Sequence, residues 1–352
     1  MLDILQPIQM GELKLKNRIF MAPLTRCRAS GVDGRTPNEL MVEYYTQRAT
    51  AGLIITEATN IDPMGVGYAN TPGIWLTEHI EGWKKITKSV HDREGKIFMQ
   101  LWHVGRISHP LFLNGNLPVA PSAIAPNGYV NLLQPKERFV VPRALDLSEI
   151  KIITQNYKKA AENAKLAGFD GVEIHGANGY LVDQFLQDCS NKRSDEYGGS
   201  IQNRARFLLE VTDAVIDVWG ASRVGMHLAP RCDLHSMGDS NREATFSYVA
   251  EELGKRKIAF ICAREYEGPD SIGSKLKKIF KGTYIGNEKF TKQTANIALQ
   301  RNDIDAVAFG KDYIANPDLV LRIENDLDLN KPDPATFYRG GVDGYTNYPL
   351  IT

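Results

Sequence analysis

The chain has 352 residues, 43% of them apolar and 24% charged, and its 42 basic residues are balanced by 42 acidic ones. This composition excludes a disordered chain, and the zero net charge removes any general attraction for a polyanion, so neither nucleic acid nor an anionic membrane is an expected partner. Cys27, Cys189, Cys232 and Cys262 are scattered without a Cys-x-x-Cys pair, which argues against a zinc site or a disulfide framework and predicts free thiols.

The N-terminal Met-Leu-Asp-Ile-Leu-Gln-Pro has no charged region leading into an apolar one, and no uninterrupted apolar run approaches ~18 residues. A cytoplasmic location is expected. Alternation of apolar and polar residues around Met10-Gly11-Glu12 predicts a small hairpin within residues 5–16. A buried strand follows from Arg18 towards Thr25, ended by Pro23, and then a helix with Asn38 as its cap. The second strand is expected at residues 53–57 and the third at 97–101, with a helix over 78–94 between them. Residues 103–145 are rich in Pro, Asn and Gly. A loop of that length inside a compact domain is usually functional, and it is expected to cover a ligand mouth.

Ser148 is expected to start the next helix, with Ile152 and Tyr157 on one face. The fourth strand, after Gly168, stops at His175. Ser200 should cap a helix reaching Trp219, ahead of a fifth strand at 224–228 and a helix at 242–256. A sixth strand is expected at 258–262, a helix at 272–280, a seventh strand at 283–285, a helix at 291–301 and an eighth strand at 306–309. Eight strands, each followed by a helix or a long loop and with no change in composition to mark a linker, predict a closed (β/α)8 TIM barrel forming one domain over residues 1–352.

Ligands of parallel α/β folds sit at the C-terminal ends of the strands. The polar residues expected there are Thr25, Glu57, Thr59, Gln100, Trp102, His103, His175, Asn178, Tyr180, His227 and Arg231. Gly286-Asn287 and Gly310-Lys311 fall where barrels commonly seat a phosphate on backbone N–H groups and a helix N-terminus. His175-Gly-Ala-Asn-Gly-Tyr180 by itself reads equally as a reaction site or as a capped polar loop. His79, His91, His103, His109 and His235 are expected at the surface or behind the site, and no His/Asp/Glu spacing suggests a metal.

Five separated blocks bear a family likeness: Met21-Ala-Pro-Leu-Thr-Arg26, Gln100-Leu-Trp-His-Val-Gly-Arg106, His175-Gly-Ala-Asn-Gly-Tyr180, Asn191-Lys-Arg-Ser-Asp-Glu-Tyr-Gly-Gly-Ser200 and Ala308-Phe-Gly-Lys-Asp-Tyr-Ile-Ala-Asn-Pro317. In this order they resemble the Old Yellow Enzyme family of FMN-dependent ene-reductases, and within it the bacterial N-ethylmaleimide and xenobiotic reductases. The resemblance implies that Pro23, Leu24, Thr25, Ala58 and Gln100 hold the flavin ring of FMN, and that Asn287, Gly310 and Lys311 serve its phosphate. It implies that His175 and Asn178 bind a carbonyl or nitro oxygen, that Tyr180 protonates the α-carbon, and that Tyr68, Trp102 and Tyr345 line the substrate space. NADPH or NADH would be the reductant in a ping-pong cycle, and electron-poor alkenes, nitrate esters or nitroaromatics the substrates.

The chain departs from the family pattern twice. His227 stands where many members carry an Arg beside the flavin, so either a protonated His227 or one of Arg231 and Arg264 supplies the charge. Asn287-Glu-Lys-Phe290 replaces an Asn-Gly-Gly-Phe turn, which restricts the backbone of the phosphate loop. Two other functions stay open: a Schiff-base lyase or aldolase using Lys311, and a flavin-binding protein with little turnover. The sequence does not choose between a monomer and a homo-oligomer.

Overall fold

A computed structural model of the chain describes residues 2–351. Among them, eight strands are buried throughout or nearly so and read as Val-, Ile- and Phe-rich runs, the mark of a parallel sheet covered on both faces. They are β1 (Ile19–Met21), β2 (Leu53–Ile55), β3 (Ile97–Trp102), β4 (Gly171–Gly176), β5 (Val224–Leu228), β6 (Phe260–Arg264), β7 (Thr283–Asn287) and β8 (Ala306–Phe309). Each pairs in parallel with the next, and β8 returns to β1 with Ala308 opposite Phe20, so the ring closes as the expected TIM barrel.

The helices form the outer layer: α1 (Glu39–Gln47), α2 (Thr77–His91), α3 (Leu147–Leu166), α4 (Leu181–Leu186), α5 (Ile201–Trp219), α6 (Arg242–Arg256), α7 (Gly273–Phe280) and α8 (Lys292–Gln300). The short α9 (Lys311–Ala315) and α10 (Leu319–Glu324) follow β8. Local chemistry sets several starts. The Asn38 side chain accepts from Met41 N–H at the head of α1, and Ser200 does the same for Asn203 at α5. Helix α3 begins before Ser148, because the Asp146 N–H donates to Glu149 Oε2 at 2.8 Å in a capping box. Its buried face runs through Ile150, Ile153 and Tyr157, while Ile152 is 58% exposed.

Period-two alternation splits the core in two. Val172, Ile174, Met226 and Leu228 face the helices, whereas Phe20, Leu53, Ile55, Phe98, Phe260 and Ile285 fill the barrel. The N-terminal hairpin (Ile8–Met10 with Leu13–Leu15) adds Ile8, Met10, Leu13 and Leu15 to that inner cluster and plugs the end of the barrel away from the site. Inside, large side chains face glycine. A Cβ on Gly225 would lie 2.1 Å from the Phe260 ring, and one on Gly171 2.3 Å from Phe98. Each buried phenylalanine contributes about 2–3 kcal/mol, provided its neighbour leaves room.

Strand β6 lies two residues beyond the expected span, because its register sets Cys262 opposite His227 and Ile285. The shift carries Arg264 to the barrel mouth. The long loop after β3 is tied down at both edges. Val119–Ala120 pairs with Arg143–Ala144, and the Arg193 guanidinium donates to the Pro121 and Leu145 carbonyls at 2.9 and 2.6 Å while pairing with Asp195.

Gly225→Val should overfill the barrel and lower stability by about 1–3 kcal/mol in urea unfolding. An unchanged midpoint would mean that Phe260 does not occupy this space.

Candidate active site

Continuing the alternation upward from the apolar plug determines which side chains come next. Gln100 and Trp102 follow Phe98 on β3, Glu173 and His175 follow Gly171 on β4, His227 follows Gly225 on β5, and Cys262 and Arg264 follow Phe260 on β6. A polar tier therefore lies directly on a hydrophobic one. The Gln100 amide donates to Glu173 Oε2 at 2.7 Å, and His227 Nδ1 is 3.5 Å from the same oxygen. Glu173 is fully buried, and its Oε1 and His227 Nε2 have no hydrogen-bond partner.

Above this tier is a cavity of about 960 Å³. Its walls include Pro23, Leu24 and Thr25 from the β1 loop, Ala58 after β2, Gln100, Trp102, His175, Asn178, Tyr180 and His227, with Tyr68 at one side. Asn287 to Phe290, Gly310 and Lys311 close the β7–β8 side. All but one of the residues that the family resemblance assigns to the site meet here, whereas Glu57, Thr59, His103 and Arg231, also expected at the strand ends, lie off the cavity wall. The exception is Tyr345, which is fully buried and stacked on Tyr44 at 4.0 Å, with the Arg26 and Arg28 guanidinium groups 5.0 and 4.5 Å from its ring. Arg26 also donates to the Phe337 and Gly344 carbonyls, which clamps the C-terminal segment behind the site and brings Tyr338 to the cavity wall instead. His235 is corrected as well, since it lines the cavity. Asn131 and Phe139 of the long loop are further wall residues that no local motif had marked.

The His175–Tyr180 loop is held in a conformation that it could not keep alone. Gly179 has φ +77°, and a Cβ there would sit 2.7 Å from Met237 Cγ, so this position needs glycine twice over. Asn178 is also left-handed, with φ +59°. Its Oδ1 accepts from Arg264 Nη1 at 2.8 Å, which leaves the amide N–H groups for the cavity. Asp183 fixes the loop from below, accepting from Gly179 N–H at 2.9 Å.

Burial governs the titrating groups. His175 is pushed well below the ordinary histidine range by desolvation, with His227 and Arg264 adding to the effect, so its ring is neutral. The Tyr180 phenol is raised well above its ordinary value by desolvation and by Tyr68, so it keeps its proton. Glu173, His227 and Cys262 bring ligand-type atoms within 4.8 Å of one another, but the Gln100 amide already occupies one Glu173 oxygen and burial keeps the Cys262 thiol protonated.

At the β7 end, Glu288 and Lys289 have φ of +96° and +60°, the left-handed region that favours glycine. Holding two such residues costs on the order of 1–3 kcal/mol each. Glu288 is 3.4 Å from Arg264, and the Lys289 ammonium lies 4.0 Å from the Tyr266 ring centroid. Arg231 packs on Tyr266 and pairs with Asp270, away from the cavity wall, so of the three candidate cations His227 and Arg264 remain there. Lys311 is exposed, contrary to what a Schiff-base lysine requires.

A family model described as the NADH:flavin oxidoreductase / NADH oxidase family matches residues 3–330. The chain belongs to that family. It is 43% identical over 360 residues to a probable flavin mononucleotide-dependent alkene reductase of Leishmania infantum, with 99% of this chain and 97% of the relative covered. It is 42% identical to 12-oxophytodienoate reductase 2 of Arabidopsis thaliana, covering 99% and 96%. Among solved structures, morphinone reductase in complex with tetrahydroNAD superposes with a TM-score of 0.96 at 45% identity, covering 100% of this chain and 98% of that one. An Old Yellow Enzyme homologue from Zymomonas mobilis gives 0.96 at 42%, covering 99% and 100%. The family expected from the five sequence blocks is thus borne out.

The Asp183 carboxyl, raised by burial to about 7, yields a pH test. The folded state keeps this proton up to about pH 7, whereas an unfolded aspartate releases it near pH ~3.9. Between these values the folded state holds more protons, so its contribution to stability falls as pH rises. Asp183→Asn should flatten that descent in urea midpoints measured from pH 4 to 7, and a parallel descent in the variant would refute the assignment.

Proposed function

We propose that this protein is an FMN-dependent oxidoreductase that takes hydride from NADPH or NADH and reduces the activated C=C bond of enones and maleimides. Nitrate esters and nitroaromatics are further substrates on the same chemistry. The observation that carries the reading is that neutral donors and a protonated phenol, His175, Asn178 and Tyr180, meet over the unpaired Nε2 of His227 in one cavity. The relatives named as alkene, 12-oxophytodienoate and morphinone reductases support the same chemistry.

The residues present fit FMN. A polar tier with an orphaned imidazole nitrogen suits the pyrimidine edge of a flat heteroaromatic ring, and Pro23, Leu24, Thr25 and Ala58 border the same space. Asn287, Lys289, Gly310 and Lys311 border the part of the cavity that would take the phosphate. FMN, when bound, supplies hydride to the β-carbon of the alkene. What remains is the work of the chain. Asn178, with its oxygen committed to Arg264, and neutral His175 direct N–H groups at the substrate oxygen and stabilise the charge that gathers there. Tyr180 gives its proton to the α-carbon, breaking its O–H bond as the C–H bond forms. Tyr68 and Trp102, with rings stacked at 5.4 Å, border the substrate space beside it. No helix among the described residues is long and apolar enough to cross a membrane. The reading takes residues 1–352 as one domain.

Anaerobic titration of the purified yellow protein with NADPH and then 2-cyclohexenone should bleach and restore the flavin spectrum. Bleaching without restoration would favour a flavin binder with little turnover. Tyr180→Phe should leave bleaching by NADPH intact and slow formation of the saturated ketone by about 10²-fold or more. Equal losses in both halves would remove Tyr180 as proton donor.

A further inference from the structure

A chain of hydrogen bonds runs from the backbone of the active-site loop, through the long loop after β3, back to Tyr180. It begins at the Asn178 carbonyl oxygen, 2.7 Å from His235 Nδ1. A carbonyl can only accept, so His235 carries its ring proton on Nδ1. Burial pushes His235 below the ordinary histidine range, so the ring is neutral and its Nε2 is an acceptor. Asn131 Nδ2 lies 3.1 Å from that nitrogen and is a donor, which fixes the orientation of the amide. The same Nδ2 donates to the Tyr68 hydroxyl oxygen at 3.3 Å, and Tyr68 Oη is 2.9 Å from Tyr180 Oη. With an N–H directed at it, the Tyr68 oxygen finds no acceptor in Asn131, and Tyr180 is the acceptor within reach among its hydrogen-bonded protein neighbours.

We infer that His235 and Asn131 are positioning residues that reserve the Tyr68 proton for Tyr180, so that the Tyr180 proton points into the cavity and is replaced after each delivery. The inference rests on Tyr180 being the proton donor. As the Tyr180 O–H bond breaks and a C–H bond forms on the substrate, the Tyr68 O–H proton moves to Tyr180. Negative charge then rests on Tyr68, where the Asn131 N–H stabilises it. Asn131 is exposed at the mouth, so a solvent water gives its proton to the Tyr68 oxygen and leaves as hydroxide, which the bulk buffer neutralises. The exposed loop residue thereby connects the buried donor to solvent.

Reversing the polarity at one atom tests this. Asn131→Asp replaces the donor by a carboxylate oxygen, which draws the Tyr68 proton to itself and leaves Tyr68 only lone pairs to offer Tyr180. The Tyr180 proton is then turned out of the cavity. In the holoenzyme, reduced by NADPH and mixed with 2-cyclohexenone, Asn131→Asp should slow saturated ketone formation by about tenfold, the order expected when directly coupled groups are separated. Reoxidation by ferricyanide, which takes electrons without a proton, should be unchanged. In a Tyr180→Phe background the same substitution should have no further effect. Equal ketone rates in wild type and Asn131→Asp, or a loss that persists in the Tyr180→Phe background, overturns the relay and leaves the donor assignment standing. A wild-type holoenzyme that forms no ketone removes both.

Discussion

The Gln100 amide meets the Glu173 carboxylate at 2.7 Å because β3 and β4 pair with these two residues side by side. A fully buried carboxylate is costly unless its oxygens are met, and the surrounding tier is arranged around that need. Gln100 meets one oxygen, His227 stands 3.5 Å from it, and the second oxygen remains without a protein partner. A single acidic side chain thus orients an amide and an imidazole at the cavity floor. The apolar layer beneath, with Phe98 and Phe260 filling the space over Gly171 and Gly225, gives that carboxylate no polar alternative.

The two halves of the site are built differently. The floor stands on strands, whose register leaves little freedom, whereas the upper wall is made of loops that hold one another. Arg106 donates to the Ile124 and His235 carbonyls at 3.0 Å each, joining the long loop to the segment after β5. Asp183, Gly179 and Arg264 hold the His175–Tyr180 loop from below and from the side. Strands below and loops above give the arrangement in which a regular scaffold carries its binding residues on connecting segments.

The barrel was legible because parallel strands buried on both faces leave long apolar runs, and caps such as Asn38 and Ser200 are local signals. His175, Asn178 and Tyr180 were legible because strand ends collect ligand-binding groups. What escaped depends on distant contacts. Tyr345 was assigned to the substrate space, but the cations of Arg26 and Arg28 draw it against Tyr44 and present Tyr338 instead. His235 and Asn131 sit in irregular loops where no periodicity marks an inward face. Arg264 was legible only as an alternative to Arg231, and what separates the two is the two-residue displacement of β6, a register set by its neighbours. The restriction expected at Asn287–Phe290 was legible by contrast with the family turn, and Glu288 and Lys289 do keep backbone angles that favour glycine.

The hairpin of Ile8–Met10 and Leu13–Leu15 shuts the far end of the barrel with apolar side chains. Among the described residues, that end gives no second way to the cavity. On the proposed function, what delivers electrons and what receives them share the one cavity in turn, so each is an obstacle to the other. Abundance of one partner becomes a brake on the second, and throughput depends on the ratio of the two concentrations as well as on either alone.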